Sequence, residues 1–283
     1  MNLPNLIRAK DLFELQQRGD VLVVDCRFDL ADADKGERDH VAAHVPGAAY
    51  MHLDRDLSDL SKRGLGRHPL PHDLVFSAAL ARSGWRAGLD VVAYDDAQGA
   101  LAAARLWWLL RLAGIRNAAV LDGGWAAWRA DGLAVESGMA AIAETPVQLN
   151  LDRAQVVWFD ELERRRASGD ALLVDARAAP RYRGEVEPMD PVAGHIPDAR
   201  NRPFADNLDA SGCFKPRDEL RREFECLLDG RSPRDVVHMC GSGVTACHNL
   251  LAMEHAGLAG SRVFAPSWSG WVSDPSRPVA TGG

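Results

Sequence analysis

Short runs rich in Val and Leu recur along the chain at 21–24, 91–94, 118–121, 171–174, 235–239 and 262–265. None sustains a polar–apolar alternation, so each reads as a strand covered on both faces. Between them lie stretches with apolar positions at helical spacing: KDLFELQQRG (10–19), HDLVFSAALARSG (72–84), ALAAARLWWLLRLAG (100–114), FDELERRRASG (159–169), RDELRREFECLLDG (217–230) and TACHNLLAMEHAG (245–257). Each closes on a glycine suited to the left-handed residue that ends a helix. Strands alternating with helices of this length predict an α/β fold, a parallel sheet flanked by helices on both faces.

The pattern also repeats. VLVVDCR (21–27) returns as ALLVDAR (171–177), HVPGA (44–48) as HIPDA (195–199), DVVAYD (90–95) as DVVHMC (235–240), and GGWAAW (123–128) as PSWSGW (266–271). Four blocks in one order, with offsets of 150, 151, 145 and 143 residues, indicate two copies of one domain. A chain of 283 residues has room for two ordinary cores. The expected domains are 1–140 and 153–283, joined by a linker at 141–152, where periodicity lapses in ESGMAAIAETPVQLN (136–150).

Composition narrows the function. The 47% hydrophobic and 26% charged residues are ordinary for a globular protein, and 33 Lys and Arg against 40 Asp and Glu argue against a nucleic-acid partner. No stretch approaches the roughly 18 apolar residues of a membrane span, and the N-terminus shows no basic start followed by an apolar core. Five cysteines (Cys26, Cys213, Cys226, Cys240, Cys247), odd in number and without a C-x-x-C pair, favour reduced thiols, hence the cytoplasm.

One cysteine stands apart. Cys240 ends the strand DVVHM and heads the small-residue loop Cys240-Gly241-Ser242-Gly243-Val244-Thr245 before a helix, at the carboxyl end of a parallel strand, where open α/β sheets place ligands. Gly241 and Gly243 permit the positive φ of a nest of N–H groups, and the helix N-terminus adds its dipole. Both favour an anion at sulfur, so the expected nucleophile is the Cys240 thiolate. The repeat supplies a control: Asp95 holds the matching position, so the chemistry belongs to the second half. Cys26, Cys213, Cys226 and Cys247 read as structural. His238, Cys240, Cys247, His248 and His255 crowd one segment, but their spacing matches no tetrahedral zinc pattern, and neither a metal nor another cofactor is expected. A cysteine phosphatase needs an arginine six residues beyond its nucleophile; Ala246 stands there.

The repeat, the DxR…GHIP element (Asp175, Arg177, Gly194, His195, Ile196, Pro197), the loop 240–245 and LDGGWAAW (121–128) together resemble the tandem-domain rhodanese family of sulfurtransferases. The resemblance implies an inactive first domain and a catalytic second one. Its uncharged loop is similar to that of 3-mercaptopyruvate sulfurtransferases, whereas thiosulfate-using members carry basic residues after the cysteine. It implies that Cys240 takes a sulfane sulfur from mercaptopyruvate as a persulfide, releases pyruvate, and passes the sulfur to cyanide or a thiol such as thioredoxin or a small thiol. It also implies that Arg181 grips the donor carboxylate, that Gly241, Gly243, Val244 and Thr245 line the bound donor, and that Ser242 works with His68 and Asp54, with Asp56 and Asp59 close behind Asp54.

The chain departs from the family at Met189, where a second carboxylate-binding arginine is usual; Arg177, Arg183 and Arg202 are the candidates to replace it. Asp25–Arg27 and Asp175–Arg177 are expected to tie strand ends to loops, and Trp125, Trp128, Trp268 and Trp271 to be mainly core. Competing readings are a thiosulfate sulfurtransferase and a persulfide carrier or sensor without turnover.

Overall fold

The computed structural model describes residues 3–19 and 21–283. The chain divides into two compact units. The first takes the described residues of Met1–Asp59, with Leu70–Asp152 and Ser211–Cys213; the second takes Leu60–Pro69, Arg153–Ala210 and Phe214–Gly283.

The first unit contains β1 (Leu6–Ile7), α1 (Ala9–Arg18), β2 (Val21–Asp25), α2 (Lys35–Ala42), β3 (Ala49–Tyr50), α3 (Asp73–Arg82), β4 (Asp90–Tyr94), α4 (Ala103–Leu112), β5 (Ala118–Leu121) and α5 (Gly124–Ala130). The second contains β6 (Val156–Val157), α6 (Phe159–Ala167), β7 (Leu172–Asp175), α7 (Ala179–Tyr182), β8 (Arg200–Asn201), α8 (Arg217–Leu228), β9 (Val236–Met239), α9 (Ala246–His255), β10 (Arg262–Phe264) and α10 (Ser267–Trp271). Each unit has one five-stranded parallel sheet, in the orders β1-β5-β4-β2-β3 and β6-β10-β9-β7-β8. With β6 matched to β1 and so on, the two orders are the same.

The six apolar runs form the three inner strands of each sheet, whose residues are almost all buried. The four edge strands, β1, β3, β6 and β8, are two residues long, too short to leave a period in the sequence. HVPGA and HIPDA lead directly into β3 and β8. The six helical patterns become α1, α3, α4, α6, α8 and α9. The helices without a sequence signal are short or polar: α2 buries only Gly36 and His40, and α5 follows Gly123 at φ 72°.

Two equivalent cores result. One gathers Leu12, Val23, Val92, Tyr94 and Trp128; the other gathers Leu162, Leu173, Val237, Phe264, Trp268 and Trp271. At the end of β2, buried Asp25 accepts from Arg27 Nη2 at 2.6 Å, and Arg27 also reaches Ala43 O at 2.7 Å and lies over Trp125. At the end of β7, Asp175, Arg177, Gly194 O and Trp268 repeat the arrangement. Burial alone would raise the Asp25 carboxyl, but hydrogen bonds from His40 and Arg27 outweigh it and hold it below the ordinary carboxylate range. Residues 141–152 lie against the first unit: Thr145 Oγ1 donates to Trp85 O at 2.6 Å, and Asp152 N to Leu112 O at 2.8 Å.

Candidate active site

Cys240 follows β9 and begins a six-residue passage into α9. The loop is pinned to α10 on both sides of the peptide: Cys240 N donates to Ser267 Oγ at 3.2 Å, while Trp268 N and Ser269 N donate to the carbonyls of Cys240 and Gly241, each at 2.9 Å. Ser267 holds φ 53°, an unfavourable region for a residue with a Cβ, and its hydroxyl donates to Phe264 O at 3.0 Å. Strain at Ser267 is thus tied to the fixing of the cysteine loop. Gly243, at φ 78°, cannot be replaced without movement, because a Cβ there would lie 2.5 Å from Ala265 O.

The sulfur of Cys240 accepts the Gly243 N–H at 3.1 Å. Among the described residues, no acceptor takes the N–H groups of Gly241, Ser242, Val244 or Thr245. Of the expected ring of donors, the Gly243 N–H reaches the sulfur, and the other loop N–H groups are uncommitted. Cys240 is only 2% exposed.

Ser242 and His68 meet. Ser242 Oγ and His68 Nδ1 are 2.8 Å apart, both residues buried, across 174 positions of sequence. This is possible because residues 60–69, although from the first half of the sequence, pack in the second unit. Gly66 at φ 92° brings its backbone against Pro266, where a Cβ would stand 2.5 Å from the carbonyl oxygen, and Arg67 N donates to Ser269 Oγ at 2.9 Å. Asp54 belongs to the first unit, half-buried, with its N–H on His52 Nδ1 at 3.1 Å. Asp56 is engaged elsewhere, accepting from the His52 N–H and from Arg82 Nη2 at 2.7 Å.

Arg181 stands beside the loop. Its Nη2 donates to Glu187 Oε1 at 2.6 Å and lies 3.4 Å from Asp190 Oδ2. Burial would raise the Glu187 carboxyl, yet the Arg181 guanidinium and the N–H groups of Met189 and Asp190 hold it below the usual range. A Cβ on Gly241 would lie 3.7 Å from both Nη atoms of Arg181, and 3.2 Å from Nη2 of Arg67. Of the cations proposed to stand in for Met189, Arg177 is bound up with Asp175, Gly194 O and Glu187, Arg183 with Glu185, and Arg202 with Glu223 and Asn207. Met189 donates its N–H to Glu187 and is partly exposed. The second guanidinium at the loop is Arg67, next to His68 in GRHPLP; sequence reasoning passed over it because nothing local distinguishes it from a solvated arginine. Ser267, Ser269, Glu187 and Asp190 were missed for the same reason.

His238 lies inside β9, fully buried, with Nε2 3.2 Å from Ser261 Oγ, and burial pulls it down to about 3. His248 stacks on Phe214 with ring centroids 4.4 Å apart. Among the described residues, no three His, Cys, Asp or Glu side chains gather where a metal ion could be held. No described helix is long and apolar enough to cross a membrane.

The rhodanese-like domain family matches the chain twice, over residues 8–131 and 159–274. The chain is 45% identical over 284 residues to a protein of Pseudomonas aeruginosa named as a probable 3-mercaptopyruvate sulfurtransferase, covering all of both chains. It is 39% identical over 279 residues to a Mycobacterium tuberculosis protein that carries the provisional name thiosulfate sulfurtransferase SseB, covering 98% of this chain and 97% of that one. The solved structure of the 3-mercaptopyruvate sulfurtransferase from Leishmania major matches with a TM-score of 0.83 at 30% identity, over 94% of this chain and 73% of that one. On two matched domains, whole-length relatives and the shared fold, the chain belongs to the rhodanese family and is a sulfurtransferase built from two rhodanese-like domains.

Proposed function

We propose that the chain moves a sulfane sulfur from 3-mercaptopyruvate to a thiol or to cyanide through a persulfide on Cys240. The thiolate attacks the donor's sulfur, an S–S bond forms, and the C–S bond breaks with its electron pair passing to pyruvate as the enolate. A proton then reaches the methylene carbon and pyruvate leaves. Loop N–H groups carry the charge at sulfur, and the Ser242–His68 pair, 2.8 Å apart, serves the donor carbonyl or the proton. Asp54 is assigned as the acid of this trio from the resemblance, with Asp56 set aside by its bond to Arg82. Arg181 receives the carboxylate, a task suited to a guanidinium. In the second half-reaction an acceptor thiolate, thioredoxin or a small thiol, takes the outer sulfur and restores Cys240. Such chemistry suits a reducing compartment, the cytoplasm, and the five cysteines form no disulfide.

The observation that carries this reading is the Cys240 sulfur in a loop without charged side chains, receiving the Gly243 N–H. Incubation with mercaptopyruvate is expected to release pyruvate and to add the mass of one sulfur to Cys240. Absence of any gain with either mercaptopyruvate or thiosulfate would overturn it, and loading without release to any thiol would make the chain a carrier. Thiosulfate is the second reading, favoured by the two guanidiniums beside Gly241; comparison of kcat/KM for the two donors decides between them.

A further inference from the structure

The two arginines beside Gly241 are not equivalent. Arg181 spends Nε and Nη2 on Glu187, at 3.2 and 2.6 Å. Arg67 uses only Nη1, which donates to Asp190 Oδ1 at 2.8 Å. Its Nε is buried without a partner, and its Nη2 points toward the peptide that follows the nucleophile, 3.2 Å from a Cβ placed on Gly241. Nε and Nη2 form the edge of a guanidinium that binds a carboxylate with two parallel hydrogen bonds, as Arg27 Nε and Nη2 bind Oδ1 and Oδ2 of Asp25 in this protein. The side chain is 27% exposed, against 4% for Asp190, with Nη2 the open atom of that edge and Nε enclosed behind it. The backbone N–H on Ser269 and the close approach of Gly66 to Pro266 hold the arginine in place.

Charge limits what this edge will take. Arg67, Arg177 and Arg181 are matched by Asp175, Glu187 and Asp190 in one connected set of ion pairs, so the surroundings of Cys240 are close to neutral before a donor arrives. A donor with one negative charge adds one uncompensated charge near a nucleophilic sulfur, and a dianion adds two.

We infer that the Arg67–Asp190 pair sets which donor anion Cys240 accepts: Arg67 presents its Nε/Nη2 edge to the donor's anionic end, and Asp190, by holding Nη1, restricts the site to a single negative charge. The inference rests on the sulfurtransfer reading and names the specificity device of the same site. Arg67 is a binding residue that touches the donor; Asp190 acts through it.

The test is a pair of readouts on folded protein, checked by thermal melting, for Arg67→Gln, Arg67→Lys and Asp190→Asn. In steady-state assays with cyanide as acceptor, Arg67→Gln is expected to raise KM for mercaptopyruvate at least tenfold while kcat falls by no more than about threefold. Arg67→Lys recovers part of the loss, since an ammonium supplies charge without the paired geometry. Asp190→Asn is expected to lower KM for thiosulfate several-fold relative to mercaptopyruvate. Independently of turnover, calorimetric titration of pyruvate into the Cys240→Ser protein is expected to show binding that Arg67→Gln weakens at least tenfold. Unaltered KM and unaltered pyruvate binding in Arg67→Gln would overturn the inference, as would an unchanged donor preference in Asp190→Asn. If the wild-type chain transfers sulfur from neither donor, the functional reading fails, and pyruvate titration alone then decides the role of Arg67.

Discussion

The loops after β4 and β9 occupy matching places in two copies of one fold and hold different groups. In the first unit the Asp95 carboxylate accepts five backbone N–H groups, from Ala97, Gly99, Leu101, Ala102 and Ala103, at 2.7 to 3.2 Å. The nest there is filled by the protein's own anion. Burial still raises the Asp95 carboxyl, with the N–H groups of Ala103, Gly99, Ala97 and Ala102 opposing it. In the second unit the Gly243 N–H reaches the Cys240 sulfur, and among the described residues no acceptor takes those of Gly241, Ser242, Val244 and Thr245. By the repeat offsets, Ala97 stands where Ser242 would be and Ala31 where Arg181 would be. The same strand–loop–helix device is closed by a side chain in the first unit and, in the second, is left open around the sulfur proposed as the nucleophile.

The sharpest way to break this comparison is to move the sulfur. Cys240→Ser is expected to reduce sulfur transfer by ~10³-fold or more, and Asp95→Cys to gain no second persulfide, giving one added sulfur per chain by mass spectrometry. A loaded Cys at position 95 would show that the loop alone suffices. Next, Gly243→Ala should cost ~10²-fold in kcat/KM, because its Cβ would strike Ala265 O and move the donor loop. Gly99→Ala, at φ 82° with a Cβ only 2.9 Å from Val120 Cγ1, should instead lower stability by about 1–2 kcal/mol in urea unfolding, with kcat/KM kept within about threefold. Asp95→Ala strips the acceptor from five donors and should cost on the order of 3 kcal/mol by the same measurement, with no direct effect on chemistry.

The last expected effect, confined to acid pH, concerns the strands below the loops, where His238 of β9 matches Ala93 of β4. With His238 held down to about 3 by burial, the unfolded chain binds a proton that the folded chain refuses. Stability is therefore full above about pH 6.5, falls as pH drops below it, and levels near pH 3. At pH 4.5 the loss from this one group is on the order of 2–3 kcal/mol. Urea titrations of wild type and His238→Gln at pH 7 and 4.5 should show this component missing in the variant.

Much of this was legible in the chain. The inner strands and long helices carry burial in their periodicity, and the paired blocks announce two sheets with one topology. Asp25–Arg27 and Asp175–Arg177 close over two residues, so their ion pairs are local and readable. The edge strands were not, because two residues of pairing leave no pattern. Of the proposed site, the chain itself suggests Cys240, Ser242, the loop glycines, Arg181 and His68, and the structure brings Ser242 to His68 and Arg181 to Gly241. Arg67 could not, nor could the commitment of Arg177 and Arg202 to internal acids, because an arginine's partners are decided by whatever the fold delivers to it.

The sequence by itself determined where the inner strands and the long helices lie, that the fold is duplicated, and which copy holds a cysteine at its loop; these follow from local periodicity and from repetition within one chain. Only the tertiary structure decided that residues 60–69 pack in the second unit, that His68 meets Ser242 across 174 positions, and that Arg67 stands over Gly241 with Asp190 as its counter-ion. Those pairings depend on closing long loops, and their free energy comes from contacts made once the cores have formed, so no short stretch of sequence records them.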